Sequence, residues 1–183
     1  MITKLLLALA VVLLVALIWR PGLGFRAQSP RDYAGTTPAF DLAQHLSGPM
    51  LAEGVIYGPT GRVISRFVAQ MEGTWDGPNG TLAEQFQYAS GTTQVREWRL
   101  QLGENGAFTG TADDIIGQMQ GQISGAAVQL QYRLRLPPSG GGHVVDVTDW
   151  MYLMDNGTIM NRAQMRKFGV KVAEMVATFR PAP

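Results

Sequence analysis

From about residue 50 onward, apolar and polar residues alternate with a period of two. Segment 128–136 is the clearest case. Val128, Leu130, Tyr132, Leu134 and Leu136 fall on one face, and Gln129, Gln131, Arg133 and Arg135 on the other. Segment 94–102 sets Trp98, Leu100 and Leu102 against Glu97, Arg99 and Gln101. Segment 63–75 sets Val63, Phe67, Ala69, Met71 and Trp75 against Arg66, Gln70 and Glu72. Successive side chains of a strand point to opposite sides, so a single apolar face marks a half-buried antiparallel strand. Gly77-Pro78-Asn79-Gly80, Asn105-Gly106 and Asn156-Gly157 separate such segments and supply the positive φ of tight hairpins. The pattern predicts strands at 51–57, 62–75, 81–88, 93–102, 107–112, 115–123, 126–136, 143–154, 158–167 and 170–180. The 107–123 region is the least regular, because Asp113-Asp114 reads either as a turn or as a bulge in one long strand. A short helix is predicted at 40–46, just before the first strand.

Consecutive hairpins without a crossover helix make a meander, and a long meander leaves two unpaired edges unless it closes. The predicted fold is therefore all-β: an antiparallel up-and-down barrel of about ten strands. The interior of such a barrel holds side chains or one small ligand. A sandwich would need longer Greek-key connections than these turns provide.

The amino-terminal end follows another pattern. Lys4 precedes an uncharged apolar run, 5–19, which ends at Arg20-Pro21-Gly22. As a helix it would extend roughly 22 Å, short of a hydrocarbon core of about 30 Å, although Lys4 can snorkel and flanking apolar residues extend it. No small-residue cleavage pattern follows, so residues 1–20 read as an uncleaved signal anchor or transmembrane helix, with a signal peptide as the alternative. Positive charge on the two sides nearly balances, Lys4 and the amino terminus against Arg20, Arg26 and Arg31, and does not orient the helix. Residues 21–38, rich in Gly, Pro, Ser, Thr and Arg, read as an extended linker, leaving 39–183 as the barrel domain.

Composition narrows the chemistry. The 183 residues are 46% hydrophobic and contain no cysteine, which removes disulfides, thiolate metal sites and a cysteine nucleophile. A net charge of +1 gives no broad electrostatic footprint for nucleic acid. His45 and His143 are the only histidines and lie far apart in sequence, and no G-x-S-x-G string is present. No cofactor or metal motif is found. Gly140-Gly141-Gly142 precedes no helix and reads as a hairpin loop.

Six strings stand in order along 38–169: Pro38-Ala39-Phe40-Asp41-Leu42, Arg66-Phe67, Glu72-Gly73-Thr74-Trp75, Gly110-Thr111-Ala112-Asp113-Asp114, Asp149-Trp150-Met151, and Asn161-Arg162 with Lys167-Phe168-Gly169. Together they resemble a proteobacterial family of uncharacterised envelope proteins, usually lipoproteins, known as a domain of unknown function. The resemblance implies a lipocalin-like barrel on the periplasmic side of the bacterial inner membrane, connected with lipid modification or envelope stress. The chain departs from that family in lacking a lipobox cysteine, a role the apolar helix would take over. The resemblance assigns no catalytic residue.

Charged residues inside strand segments are the remaining candidates. Arginines outnumber lysines twelve to three. Alternation puts Arg96 with Trp98 and Leu100, and Asp149 with Val145, Val147, Met151 and Leu153. An arginine on an apolar face needs an acidic partner or an anionic ligand. In one reading Arg96 and Arg162 pair with Glu84 and Asp149 and close the polar part of the core. In the other, an arginine holds the head group of a fatty-acyl or other small apolar ligand, and Trp98, Tyr132 and Trp150 line its path. The sequence thus predicts a membrane-anchored, ligand-binding barrel. The alternatives are a scaffold docking a membrane protein and, third, a lipid-acting enzyme using Glu84 or Asp149 as general base.

Overall fold

The computed structural model describes residues 2–19 and 24–183. Ten strands follow one another: β1 (Gly48–Tyr57), β2 (Val63–Asp76), β3 (Asn79–Tyr88), β4 (Thr93–Leu102), β5 (Ala107–Thr111), β6 (Met119–Ser124), β7 (Ala127–Arg135), β8 (Val144–Leu153), β9 (Ile159–Lys167) and β10 (Val170–Pro181). Each pairs antiparallel with its sequence neighbours. β1 pairs with β10, from Met50↔Pro181 to Tyr57↔Glu174, and closes the barrel. All ten predicted strands are present. The largest boundary difference is β6, which begins at Met119 because 112–118 is a loop.

The inward face carries the apolar set. Met50, Ala52, Phe67, Ala69, Met71, Leu82, Trp98, Leu100, Phe108, Val145, Val147 and Met151 belong to one buried cluster. The two ends of the barrel differ. At one end, the short helix α2 (Leu42–His45) forms a plug, with Leu42 and Leu46 buried beneath the strands. The Asp41 carboxylate caps it by accepting from the Gln44 amide at 3.0 Å. The Trp75 indole N–H donates to the Leu46 carbonyl at 3.1 Å. Gly73 is required on β2 because a Cβ there would overlap that same carbonyl oxygen. Among the described residues, the other end, built from the β1–β2, β3–β4, β7–β8 and β9–β10 hairpins, has no such plug.

The wall is incomplete beside β4. β5 meets β4 only at residues 99–102, leaving the upper part of β4 without a strand on that side. Loop 112–118 fills the gap and reaches β7 through an Ile115↔Leu134 bridge.

The segment predicted as an extended tether is, from Gly24 on, folded onto the outside of the wall. Two 3-10 turns, Gly24–Ala27 and Pro30–Tyr33, bury Phe25 and lay the Tyr33 ring 5.3 Å from that of Trp150. Its few apolar residues find an outward patch on β7 and β8 formed by Ala127, Trp150 and Tyr152. The remainder of the predicted linker, Pro21 to Leu23, lies outside the described residues.

The apolar amino-terminal run is helical, α1 (Ile2–Trp19), with exposed leucines and valines along its described part. Among the described residues no helix is long and apolar enough to cross a membrane. Eighteen residues of helix extend about 27 Å.

Candidate functional site

A cavity of about 870 Å³ occupies the barrel interior and reaches the unplugged end. Its walls are mostly apolar, with Phe67, Phe86, Leu100, Leu130, Met151 and Met175 among them. Into this lining project Glu84 from β3, Arg96 from β4, Asp114 from loop 112–118, Tyr132 from β7, Asp149 from β8 and Asn161 from β9. The set arises directly from strand parity. Glu84 and Arg96 are register partners across β3 and β4, so their side chains rise on the same face.

Arg96 is held by Asp114. Its Nε lies 3.0 and 3.2 Å from the two carboxylate oxygens, and Nη2 lies 2.7 Å from Oδ2. A two-pronged guanidinium–carboxylate pair of this kind is strong and fixes orientation. Glu84 stands further off, with Oε2 3.7 Å from Arg96 Nη1. The guanidinium also faces the Phe86 and Trp98 rings at 5.9 and 5.8 Å. A second group surrounds Asp149. The Asn161 side-chain amide donates to one carboxylate oxygen, and the Tyr132 hydroxyl donates to the other at 3.4 Å.

These carboxyls titrate abnormally. Burial pushes Glu84 up to about 7, against the opposing pull of Arg96. Burial also raises Asp149 to about 6, although the Asn161 and Tyr132 donors and Arg96 favour its ionised form. The Tyr132 hydroxyl is raised well above its ordinary value by burial and by Asp149. Burial works against charge on Arg96, but Glu84, Tyr132 and Asp114 outweigh it and keep the guanidinium protonated. The cluster therefore sets one cation against three carboxyls, two of which carry protons readily near neutrality. Among the described residues, Glu84 Oε2 and Asn161 Oδ1 are buried acceptors without a hydrogen-bond donor.

Five of the seven residues predicted for the site meet here: Glu84, Arg96, Trp98, Tyr132 and Asp149. Arg162 and Trp150 do not. Arg162 alternates with the inward Asn161 and Ala163 and so points outside. There it pairs with Glu174, Nη2 to Oε1 at 2.6 Å, and lies 5.0 Å from the Phe25 ring. Its predicted partner, Asp149, belongs to the lumen. Trp150 is buried, but beneath the folded amino-terminal segment. The alternation that put Asp149 with Met151 already set Trp150 on the opposite face. Asp114 and Asn161 are the residues that sequence reasoning missed. Arg96 on an apolar strand face called for an acid, but Asp113-Asp114 read as a turn or a bulge and not as its partner.

A second, smaller cavity of about 480 Å³ lies in the wall between β1, β2 and β3, beside Gln70, Gln85 and the Glu53–Arg180 pair. It contains none of the buried carboxyls.

Residues 22–181 match the family model described as "Protein of unknown function (DUF3833)". The chain belongs to the DUF3833 family. No curated protein matches the sequence. Among the solved structures that the DUF3833 barrel resembles are the following two. Rv2717c from M. tuberculosis superposes with a TM-score of 0.56 at 17% identity, over 81% of this chain and 99% of that one. A protein of unknown function from the DUF3598 family of Nostoc punctiforme gives 0.54 at 13% identity, over 81% of this chain and 53% of the other. At these identities the likeness is one of fold.

Proposed function

We propose that the barrel binds one small, largely apolar molecule in its lumen and reads its polar end with the Glu84–Arg96–Tyr132–Asp149–Asn161 cluster. The observation that carries this reading is an open-ended 870 Å³ cavity whose apolar lining surrounds buried polar groups, two of them acceptors without donors. That volume is within the range of small-molecule sites, about 300–1,000 Å³, and the combination of apolar walls with a few convergent polar groups is typical of them.

The same geometry selects among acyl ligands. Arg96 is already engaged by Asp114, and Glu84 and Asp149 stand nearby. A fatty-acid carboxylate would therefore add a fourth acidic group to one guanidinium. A fatty alcohol or amide would instead donate to Glu84 Oε2 or Asn161 Oδ1. The preferred ligand is thus an acyl or alkyl chain ending in a neutral donor.

Membrane attachment through α1, with a lipocalin-like barrel on the periplasmic side of the inner membrane and a part in lipid modification or repair, completes the proposal. The exposed leucines and valines of α1, which no described element covers, support attachment.

The test begins with solvent extraction of the purified full chain and mass spectrometry of any co-purifying lipid. Titration with palmityl alcohol, palmitamide and palmitate follows, read by intrinsic tryptophan fluorescence. One alcohol or amide per chain should bind saturably. Palmitate should bind more weakly at pH 8 and gain on acidification. Folded protein that binds none of the three would end the proposal.

A further inference from the structure

We propose that the open rim of the barrel docks face-down on an anionic lipid surface, so that ligand passes between bilayer and lumen without crossing water. This deepens the ligand-binding reading, on which its purpose rests, by naming the phase from which ligand enters.

Exposed large apolar side chains of the barrel gather at that rim. Phe168 is 93% exposed at the β9–β10 turn, with Val170 beside it at 56%. Val63 and Ile64, at 50% and 65%, open β2 on the β1–β2 hairpin. Val95 stands slightly lower on the outer wall, Val68 lower still, and Met154 alone marks the plugged end. Phe168 is not explained by folding. It has a positive φ of 51°, where Asn or Gly is at ease and a bulky residue is disfavoured. A large aromatic held at a hairpin tip, in a conformation that costs stability, points to a use outside the fold.

Charge is distributed the same way. Arg62, Arg66, Arg135 and Lys167 lie on or just below the rim. Among the described residues none of the four has an acidic partner within 4 Å. Lys167 lies 5.6 Å from the Phe168 ring and also lines the cavity. The acids nearest this end are already engaged: Asp113 with Arg99, Asp114 with Arg96, Asp146 with Arg133, and Glu174 with Arg162 and Lys171. Hairpins at the plugged end instead carry Asp76, Glu104 and Asp155 and no cation. Apolar tips among unpaired cations match a bilayer with anionic head groups. Aromatic and aliphatic side chains enter the interface while lysine and arginine meet phosphates.

The chain has no cysteine, so a single introduced one is the only thiol label site. Ile64→Cys, Val170→Cys and, at the plugged end, Asn156→Cys are each made in the full chain. Each carries an environment-sensitive fluorophore and is mixed with phosphatidylglycerol-containing vesicles. The labels at 64 and 170 should shift to the blue, become shielded from iodide and be quenched by spin-labelled lipid, while the label at 156 stays in water. Arg62→Gln and Lys167→Gln should each lower the docked-to-undocked ratio about fivefold, and added salt should lower it further. Phe168→Ser in the Val170→Cys protein should reduce quenching. Attachment by α1 alone would leave all three labels equally open to iodide and overturn the proposal. An equal response on purely phosphatidylcholine vesicles would overturn its electrostatic part. The readout needs no ligand in the lumen, so rim docking and palmityl alcohol binding can fail separately.

Discussion

Replacing Glu84 by Gln should stabilise the barrel at alkaline pH and leave it almost unchanged at about pH 4. The Glu84 carboxyl is raised from 4.5 to about 7 in the folded chain. Between those values the folded state binds more protons than the unfolded state, so stability falls as pH rises. The lost stability is fully expressed above the folded value. At 1.36 kcal/mol per unit it comes to about 3 kcal/mol at pH 8 or above. Glutamine has the shape of the protonated acid and cannot ionise. At about pH 4, below the unfolded value of 4.5, Glu84 is mostly protonated in both states, so variant and parent should unfold nearly together. At pH 8 the variant should be more stable by up to about 3 kcal/mol, even though it lacks the attraction of Arg96 for the charged form, because the raised value already includes that attraction. Urea unfolding followed by tryptophan fluorescence reads the difference. With slopes of about 1–3 kcal/mol per molar, the midpoint should move by about 1 M or more. Parallel pH–stability curves for parent and variant would show that Glu84 is not desolvated as described.

Three further predictions separate the parts of the molecule. Arg162→Gln should leave palmityl alcohol affinity unchanged, because that side chain is outside the lumen; a loss of affinity with intact circular dichroism would contradict the strand parity of β9. Leu42→Ala removes a buried side chain from the plug and should cost about 2–5 kcal/mol in chemical unfolding, and a cost below about 1 kcal/mol would mean that the plug is not tightly packed. Asp114→Asn should weaken the hold on Arg96 and free the guanidinium for an anion, so that palmitate binding at pH 8 rises relative to palmityl alcohol; an unchanged ratio would refute the selectivity argument.

Most of the architecture was legible in the sequence because a hairpin barrel is a local structure. Every strand except β1 and β10 pairs only with its immediate neighbours in the chain, and glycine-containing turns mark the joins. Period two also grouped Arg96 with Trp98 and Asp149 with Met151 correctly. Alternation does not say which side of a strand faces inward, and that is where Arg162 was misplaced: Met160, Arg162, Gln164 and Arg166 form as consistent a row as Ile159, Asn161, Ala163 and Met165. Asp114 was illegible for another reason. Its partner lies across a gap in the wall that exists only because β5 and β6 are short. Trp150 is buried by a Gly- and Pro-rich segment whose apolar anchors, Phe25 and Tyr33, carry no periodic signal.

The seam between β1 and β10 has a kinetic consequence. The other nine pairings close short loops and can form early, as hairpins do. The seam joins the two ends of the domain and must await the intervening strands, at the entropic cost of its long loop. Until it zips, β1 and β10 are bare edges, each a template for a neighbouring chain. Refolding should therefore end in a slow closure step. Its yield should fall with protein concentration, as intermolecular β1–β10 pairing competes with closure of the same ring.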